Sequence, residues 1–342
     1  MRRAVVDLTS TRASWSIPPW SVAAIRAAFS RGWDIVEVTE PSASDGDGSG
    51  GSRAALEAVS GAEVYFGWGI SPALVRVANG TLRWAHSAAA GVGSSLSDEL
   101  AASGAVLTNS RAVQAEPMAD WVVAAMGYCL RGFHALVEAQ RDRRWIKGEV
   151  FDGEIPVREF ADSRVGIVGL GGVGKAVAKR CRALGMEVRA IRRRPARRRL
   201  AGLRWVGGAG DAVRLASTSH VLVVAAPLTG ATRHLVDDAV LAALPRGAYV
   251  INVSRGALVD EDALLRHLDR GHLGGCVLDV FRQEPLPERH PFWGHPRVLL
   301  SPHVSCVSER FWERETAVIE ENIRRYRDGR RLKNVVDLEA GY

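Results

Sequence analysis

"VGIVGLGGVGKAVAKRCRALGMEVRAIRRRPARRRL", residues 165–200, decides the fold. Residues 165–168 form an apolar strand end. Gly169, Gly171 and Gly174 follow as G-x-G-x-x-G, and a helical pattern runs from Val173 to Leu184. A second strand, "MEVRAI", comes at the interval of a β-α-β unit. In such a turn the first glycine permits the bend, the second lets backbone approach a pyrophosphate, and the third lets helix pack closely on strand. The helix start, with Gly172 and Val173, offers free N–H groups and the positive end of a dipole to an anion. Alone, the glycine spacing is weak. Between a clean strand and a clean helix it predicts a dinucleotide-binding turn.

The stretch ends on six arginines between positions 192 and 199. An acid after the second strand would bind the ribose 2′-hydroxyl of NAD. Arg192 stands there instead, followed by Arg193 and Arg194. A carboxylate repels a 2′-phosphate, whereas a guanidinium pairs with it, often through two hydrogen bonds. NADP(H) is therefore expected ahead of NAD(H), which stays possible. One phosphate needs few donors, so Arg197, Arg198 and Arg199 read better as a solvated basic loop.

Alternation of strand and helix patterns extends in both directions. Strands are expected near 4–8, 34–39, 63–68, 83–87 and 106–110, with helices between them. Residues 41–52, "PSASDGDGSGGS", read as a flexible loop. A long helical pattern spans about 114–142, and residues 146–164 look irregular. A second series of strands is expected near 165–169, 187–191, 220–225, 248–252, 275–279 and 298–300. The closing stretch 311–329 is an amphipathic helix that could fold back on the first domain. The pattern predicts an α/β chain of two doubly wound parallel-sheet domains, one inserted into the other. The expected division is 1–110 with 304–342 for the outer domain, and 111–303 for the inner one.

A length of 342 residues suits two domains, and 47% hydrophobic with 24% charged residues suits a globular chain. No apolar run approaches a membrane span, and "MRRAVVDLTS" is too short in its apolar part for a signal peptide. The four cysteines, Cys129, Cys181, Cys276 and Cys306, show no metal or disulfide spacing, so a reducing cytoplasm is expected and no metal. The net charge of +7 fits nucleic acid, anionic metabolites or only an arginine-rich codon bias, and charge alone does not decide. Without interleaved aromatics or a recognisable module, nucleic acid is a poorer reading.

Three further stretches carry chemistry. "INVSRGALVDEDAL" (251–264) puts Arg255 just after a strand. "CVLDVFRQEPLP" (276–287) puts Asp279 at a strand end and Glu284 in the loop beyond. "VLLSPHVSCVSE" (298–309) puts His303 beyond another strand. Ligands of doubly wound sheets bind outside the carboxyl ends of strands, so these groups should share a crevice with the glycine turn. A carbonyl that accepts a hydride develops negative charge and needs a proton donor and a fixed positive charge. His303 can donate near neutral pH, Glu284 would orient it, and Arg255 can hold a carboxylate and polarise the carbonyl beside it. Singly, a loop histidine is usually only polar filler, and an arginine after a strand a charge facing water. Three at consecutive strand ends are not.

Together these motifs resemble the D-isomer-specific 2-hydroxyacid dehydrogenases, in the glyoxylate/hydroxypyruvate reductase-like branch. The family patterns are matched by "NVSRGALVDEDAL", "LDVFRQEPLP", Pro302-His303 and "APLTGATRHLVD" (226–237), and the likeness is strongest over about 83–335. It implies a Rossmann coenzyme domain inserted into a flavodoxin-like substrate domain. It implies the catalytic trio Arg255, Glu284 and His303. It places Pro227, Thr232, Val253, Asp279 and Ser305 near the cofactor, with Asp279 and the Val253 backbone at the nicotinamide. It implies that Ala90 and Gly91, in "SAAAGVGSSL" (87–96), offer backbone N–H groups to the substrate carboxylate, beside Arg255 and His303. It also implies a short 2-keto or 2-hydroxy acid as substrate, a D product and a homodimer. Two departures stand out. The acid after the second strand is missing, and Gly93 takes the place of a frequent Asp. Cys306, three residues after His303, reads as a packing residue before a reactive thiol. Oxidation of phosphite or formate, or a dinucleotide-sensing corepressor-like protein, are the competing readings; Glu284 speaks against formate, whose users carry Gln there.

Overall fold

The computed structural model describes residues 1–42, 52–194 and 200–341. The chain forms two compact units, Met1–Gln114 with Ser308–Tyr342, and Ala115–Val307. The expectations for the 41–52 loop and for Arg197, Arg198 and Arg199 fall largely or wholly outside the described residues.

In the first unit, β1 (Arg2–Asp7), β2 (Trp33–Glu37), β3 (Val64–Gly67), β4 (Trp84–Ser87) and β5 (Val106–Asn109) alternate with α1 (Pro19–Ala28), α2 (Arg53–Val59), α3 (Pro72–Ala78) and α4 (Asp98–Ser103). All strand pairs are parallel, in the order β2-β1-β3-β4-β5. That is the flavodoxin-like doubly wound order. Ser52, Ser71 and Ser97 cap α2, α3 and α4, each accepting a hydrogen bond from the N–H three residues on. Alternate residues of the strands feed two apolar layers. Ala4, Val6, Phe66 and Trp84 face one, and Val5, Tyr65, Ala85 and Leu107 the other.

The second unit opens with α5 (Ala115–Leu130), α6 (Phe133–Arg141) and α7 (Lys147–Phe151). Where one helix was expected over 114–142, two are found. Gly132 sits at φ 68°, in the left-handed region, and ends the run. The Leu130 carbonyl then accepts from the Arg158 N–H at 2.8 Å. α7 also lies within a stretch expected to be irregular.

The sheet of this unit follows: β6 (Arg164–Val168), α8 (Gly172–Ala183), β7 (Glu187–Ile191), β8 (Trp205–Gly207), α9 (Ala212–Ala216), β9 (Val221–Val224), α10 (Asp238–Ala243), β10 (Tyr249–Asn252), α11 (Glu261–Asp269), β11 (Gly275–Leu278) and β12 (Val298–Leu300). The order is β12-β11-β10-β9-β6-β7-β8, all parallel. The order in which strands are added reverses between β6 and β9, as in a Rossmann sheet. β8, a short edge strand, has no counterpart among the expected strands. Central strands such as "VLVV" are buried on both faces, which explains their unbroken apolar runs. Val221, Val223 and Ile251 pack toward α5 and α8, while Leu222, Val224 and Val250 pack toward α9, α10 and α11. The chain then returns to the first unit as α12 (Phe311–Arg327), whose Phe311, Trp312, Ile319 and Ile323 are buried there.

Candidate active site

The glycine turn sits at the carboxyl end of β6, beside the switch point. Gly169 has φ 98°, and a Cβ there would lie 2.6 Å from the Ala226 backbone. A Cβ on Gly174 would lie 2.0 Å from the Gly169 carbonyl oxygen, so only glycine lets α8 start this close to β6. Gly171 is different: nothing lies within 4 Å of its Cβ position, and its φ of −81° suits any residue. The protein's own packing therefore does not demand glycine at 171. An approaching ligand would. No side chain caps the first turn of α8, where Gly172 and Val173 present their backbone. Arg192, Arg193 and Arg194 follow β7 directly and are exposed; the Arg192 N–H donates to the Gly207 carbonyl of β8 at 3.1 Å. The turn and the arginines thus have the shape and charge for a dinucleotide phosphate.

Three loops of the same unit carry the other polar groups. After β10, Asn252 organises the turn: its side-chain oxygen accepts from the Ser254 N–H at 3.1 Å, and its amide donates to the Arg255 carbonyl at 3.0 Å. Arg255 is exposed and spends one N–H on the Ser254 carbonyl, at 2.6 Å. Gly256 explains the Arg-Gly pair. A Cβ there would stand 1.9 Å from the Phe281 carbonyl carbon, so the Arg255 loop touches the backbone of the Glu284 loop.

His303 Nδ1 and Glu284 Oε2 lie 2.7 Å apart. Glu284 Oε1 accepts from the Phe281 N–H at 2.9 Å, which fixes the carboxylate. Burial raises the pKa of Glu284, but the hydrogen bonds from His303 and Phe281 and the charges of His303 and Arg255 outweigh it and hold the carboxyl below its ordinary value. His303 itself adopts φ 56°, rare for a non-glycine residue. Both side chains remain partly exposed, at 40% and 35%, so a small molecule can reach them.

Asp279 is fully buried; its carboxylate accepts from the Ser301 hydroxyl, from the Val304 N–H at 2.8 Å and from the Ser305 N–H at 3.0 Å. The Ser305 hydroxyl is buried without a hydrogen-bond partner. Val253 is buried in the core, and its N–H meets the Val224 carbonyl at 3.3 Å. Pro227 is exposed after β9, whereas the Thr232 hydroxyl is engaged inside its loop, donating to the Pro227 carbonyl at 2.7 Å. Cys306 is partly buried, and burial pushes its thiol up to about 11.

In the first unit, Ala90 is exposed and Gly91 half-buried in the loop after β4. The Asn109 amide donates to the Ala90 carbonyl at 2.8 Å, which orients the turn. Among the described residues no hydrogen bond occupies the N–H of Ala90 or Gly91. Sequence reading missed Asn252, Gly256 and Ser301 as organisers. Asn252 could have been found, because its amide at a strand end immediately precedes the Arg255 turn. Among the described residues, no helix is long and apolar enough to cross a membrane, and no cluster of His, Cys, Asp and Glu is placed to hold a metal.

Residues 123–305 match the family model of the D-isomer specific 2-hydroxyacid dehydrogenase NAD binding domain. The chain is 35% identical over 225 residues to a glyoxylate/hydroxypyruvate reductase A of Photorhabdus laumondii, covering 66% of this chain and 68% of that one. It is similar in structure to a D-isomer specific 2-hydroxyacid dehydrogenase of Xanthobacter autotrophicus in complex with NADPH, with a TM-score of 0.81, 30% identity and full coverage of both chains. An NADPH-dependent glyoxylate/hydroxypyruvate reductase of Sinorhizobium meliloti, in complex with NADP and sulfate, aligns with a TM-score of 0.76 at 27% identity, again over both chains in full. On its glycine turn, its Rossmann sheet and these matches, the chain belongs to the D-isomer specific 2-hydroxyacid dehydrogenase family of NAD(P)-dependent oxidoreductases.

Proposed function

We propose that this protein reduces a short 2-keto acid, of the glyoxylate or hydroxypyruvate type, to the D-2-hydroxy acid with NADPH. The observation that carries this reading is the 2.7 Å pair of His303 and Glu284, on the same unit as Arg255 and a glycine turn. NADPH, when bound, supplies the hydride. Gly169, Gly171, Gly172, Val173 and Gly174 receive its pyrophosphate, with Pro227, Thr232 and Val253 lining the path. Arg192 and Arg193 receive the 2′-phosphate. The unpartnered Ser305 hydroxyl is available to it as a donor.

Arg255 holds the substrate carboxylate and polarises the adjacent carbonyl. Charge that builds on the carbonyl oxygen is met by a proton from His303, while Glu284 keeps the ring oriented and stabilises the imidazolium it starts from. Ala90 and Gly91, in the first unit, present backbone N–H groups that no hydrogen bond among the described residues occupies, the kind of donor a carboxylate takes. The NADPH-bound relatives and the reductases of glyoxylate and hydroxypyruvate support the cofactor and the substrate class. A homodimer is supported by Trp145 and Phe151, which are 90% and 81% exposed on the second unit.

A turnover assay tests this. Purified protein is offered glyoxylate, hydroxypyruvate, pyruvate and 2-ketobutyrate with NADPH or NADH. Oxidation of NADPH by one or more of these acids, with formation of the D product, is expected. Binding of NADPH without turnover of any keto acid would refute the reading and favour a nucleotide-sensing protein on the same scaffold.

A further inference from the structure

The N–H groups of Ala90 and Gly91, in the loop after β4, take their direction from the end of β5. Each N–H shares a peptide plane with the carbonyl of the residue before it, and in a trans peptide the two point opposite ways. Holding the carbonyl therefore aims the N–H. Both carbonyls are held. The Ser110 N–H donates to the Ala89 carbonyl at 3.3 Å, and the Asn109 side-chain amide donates to the Ala90 carbonyl at 2.8 Å. The Ala90 and Gly91 N–H groups are thus both turned away from β5. Successive backbone N–H groups turned to one side make a concavity for an anion. The root of the loop is fixed as well: the Ser110 hydroxyl donates to the Ser87 carbonyl at 3.1 Å, and the Ala89 N–H to the Ser87 hydroxyl at 3.3 Å.

Asn109 is itself held by the carboxyl-terminal segment. Its N–H donates to the Asn334 carbonyl at 3.2 Å. The Asn334 side-chain amide donates to the carbonyls of Asn109 at 3.1 Å and of Arg111 at 3.0 Å. Asn109 Oδ1 accepts from the Arg111 N–H at 3.3 Å, which leaves the NH2 group turned to Ala90. Asn334 sits at φ 56°, in the left-handed region. Beside it, Lys333 is bound in both directions by the buried Asn322 of α12. Its N–H donates to Asn322 Oδ1 at 2.8 Å, and its carbonyl accepts from Nδ2 at 3.1 Å. One path of hydrogen bonds therefore runs from α12 through Asn334 and Asn109 to Ala90.

We propose that Asn109 is a positioning residue that aims the Gly91 N–H at the substrate carboxylate, and that Asn334 sets Asn109 for this task. The proposal rests on the reading of Ala90 and Gly91 as donors to the carboxylate of the keto acid. Asn109 is 2% exposed and its side chain is spent on the protein, so it acts through the Ala90–Gly91 peptide. An aspartate at 109 would keep the acceptor for the Arg111 N–H but set an oxygen against the Ala90 carbonyl. That peptide would turn, and the Gly91 N–H with it. A glycine at 334 would keep the left-handed φ without strain and remove only the two bonds of the amide.

The test compares wild type, Asn109→Asp and Asn334→Gly, all saturated with NADPH. KM and kcat are measured for the keto acid turned over fastest, and the NADPH dissociation constant by fluorescence. The Gly91 amide signal is followed in protein labelled with 15N-glycine and identified by its loss in Gly91→Ala. It is read without and with oxamate, a 2-keto acid isostere that accepts no hydride. Oxamate is expected to move the Gly91 signal of the wild type. Asn109→Asp should raise KM about 10- to 100-fold, the size of a lost hydrogen bond to a charged group, with kcat within about 3-fold. Asn334→Gly should raise KM about 3- to 10-fold, since it loosens Asn109 without removing it. NADPH affinity should stay within about 2-fold in both, because only the hold on the carboxylate is lost. The Gly91 signal should move in both variants before oxamate is added.

An unchanged KM in both variants, or a fall in kcat with KM preserved, would overturn the proposal. A wild-type Gly91 signal that still answers to oxamate would then leave the donor reading standing. A wild-type Gly91 signal indifferent to oxamate would remove the donor reading and the proposal with it. If Asn109→Asp does not fold, Asn334→Gly carries the same readouts. If the wild type turns over no keto acid, the proposed function fails and the oxamate dissociation constant, read from the Gly91 shift, takes the place of KM. Weaker oxamate binding in the variants would support the proposal, and equal binding would overturn it.

Discussion

Glu284 Oε2 accepts from His303 Nδ1 at 2.7 Å while Glu284 Oε1 is pinned by the Phe281 N–H, so the carboxylate orients the ring instead of following it. Its pKa is depressed, so the charged form, and the orientation it gives, persists as pH falls through the ordinary carboxylate range and is lost only as pH falls through the lowered value. His303→Ala should cost about 10²- to 10⁴-fold in kcat/KM, the range for loss of a general acid. Glu284→Gln keeps size but removes the charge, and should cost about 10- to 100-fold. Steady-state rates at pH 7 check both. Equal activity of Glu284→Gln and wild type would show that the pair has no part in the reaction.

Arg192 begins the loop after β7, where a carboxylate would select NAD. Arg192→Asp removes one charge-assisted contact to a 2′-phosphate and adds a repulsion. Such contacts contribute about 1.5–3 kcal/mol, so the ratio of kcat/KM for NADPH to that for NADH should fall about 10- to 150-fold. The rate with NADH should change little or rise. A ratio that does not move would leave Arg192 as ordinary surface charge.

The four thiols should all be slow to react. Burial pushes Cys129 and Cys181 up to about 12, Cys306 up to about 11, and Cys276 well above its ordinary value. The thiolate is the reactive form, so at pH 8 little of it exists at any of them. Iodoacetamide at pH 8 is expected to leave activity intact over an hour in the native protein and to modify all four after denaturation. Rapid inactivation traced to Cys306 would show a thiol more acidic than its surroundings allow.

Much of this was legible in the sequence, for physical reasons that differ by element. β9 and β10 could be read because strands buried on both faces are unbroken apolar runs. The turn could be read because Gly174 is forced by the Gly169 carbonyl a few residues before it and Gly169 by its own left-handed φ of 98°. The break between α5 and α6 could not, because Phe133 and Leu136 keep the helical apolar spacing although they end up 49% and 40% exposed. Only the φ of Gly132 shows that the helix stops. β8 was missed because "WVG" is three residues at a sheet edge, too short to show a period. The bonds between Asp279 and Ser301 join positions 22 apart and leave no local pattern.

Asp7 offers a prediction about stability. It ends β1 in the first unit, is 2% exposed, and has one carboxylate oxygen, Oδ1, buried without a partner. Burial pushes its pKa up to about 6, with the charge of Glu40 adding to this and the hydrogen bond from the Tyr65 hydroxyl, at 2.5 Å, working against it. A folded-state pKa above the unfolded value means that the native state binds the proton more tightly. Stability is then greatest below about pH 4 and declines as pH rises toward 6, by about 3 kcal/mol for a rise from the ordinary value of 3.8 to about 6. Asp7→Asn removes the charge and keeps an acceptor for Tyr65. It should raise the thermal midpoint of the first unit by several degrees at pH 8, about 2–4 °C per kcal/mol for a domain of this size, and leave it nearly unchanged at pH 4. A variant less stable than wild type at pH 8 would mean that the Asp7 carboxylate is paired with something that offsets its burial.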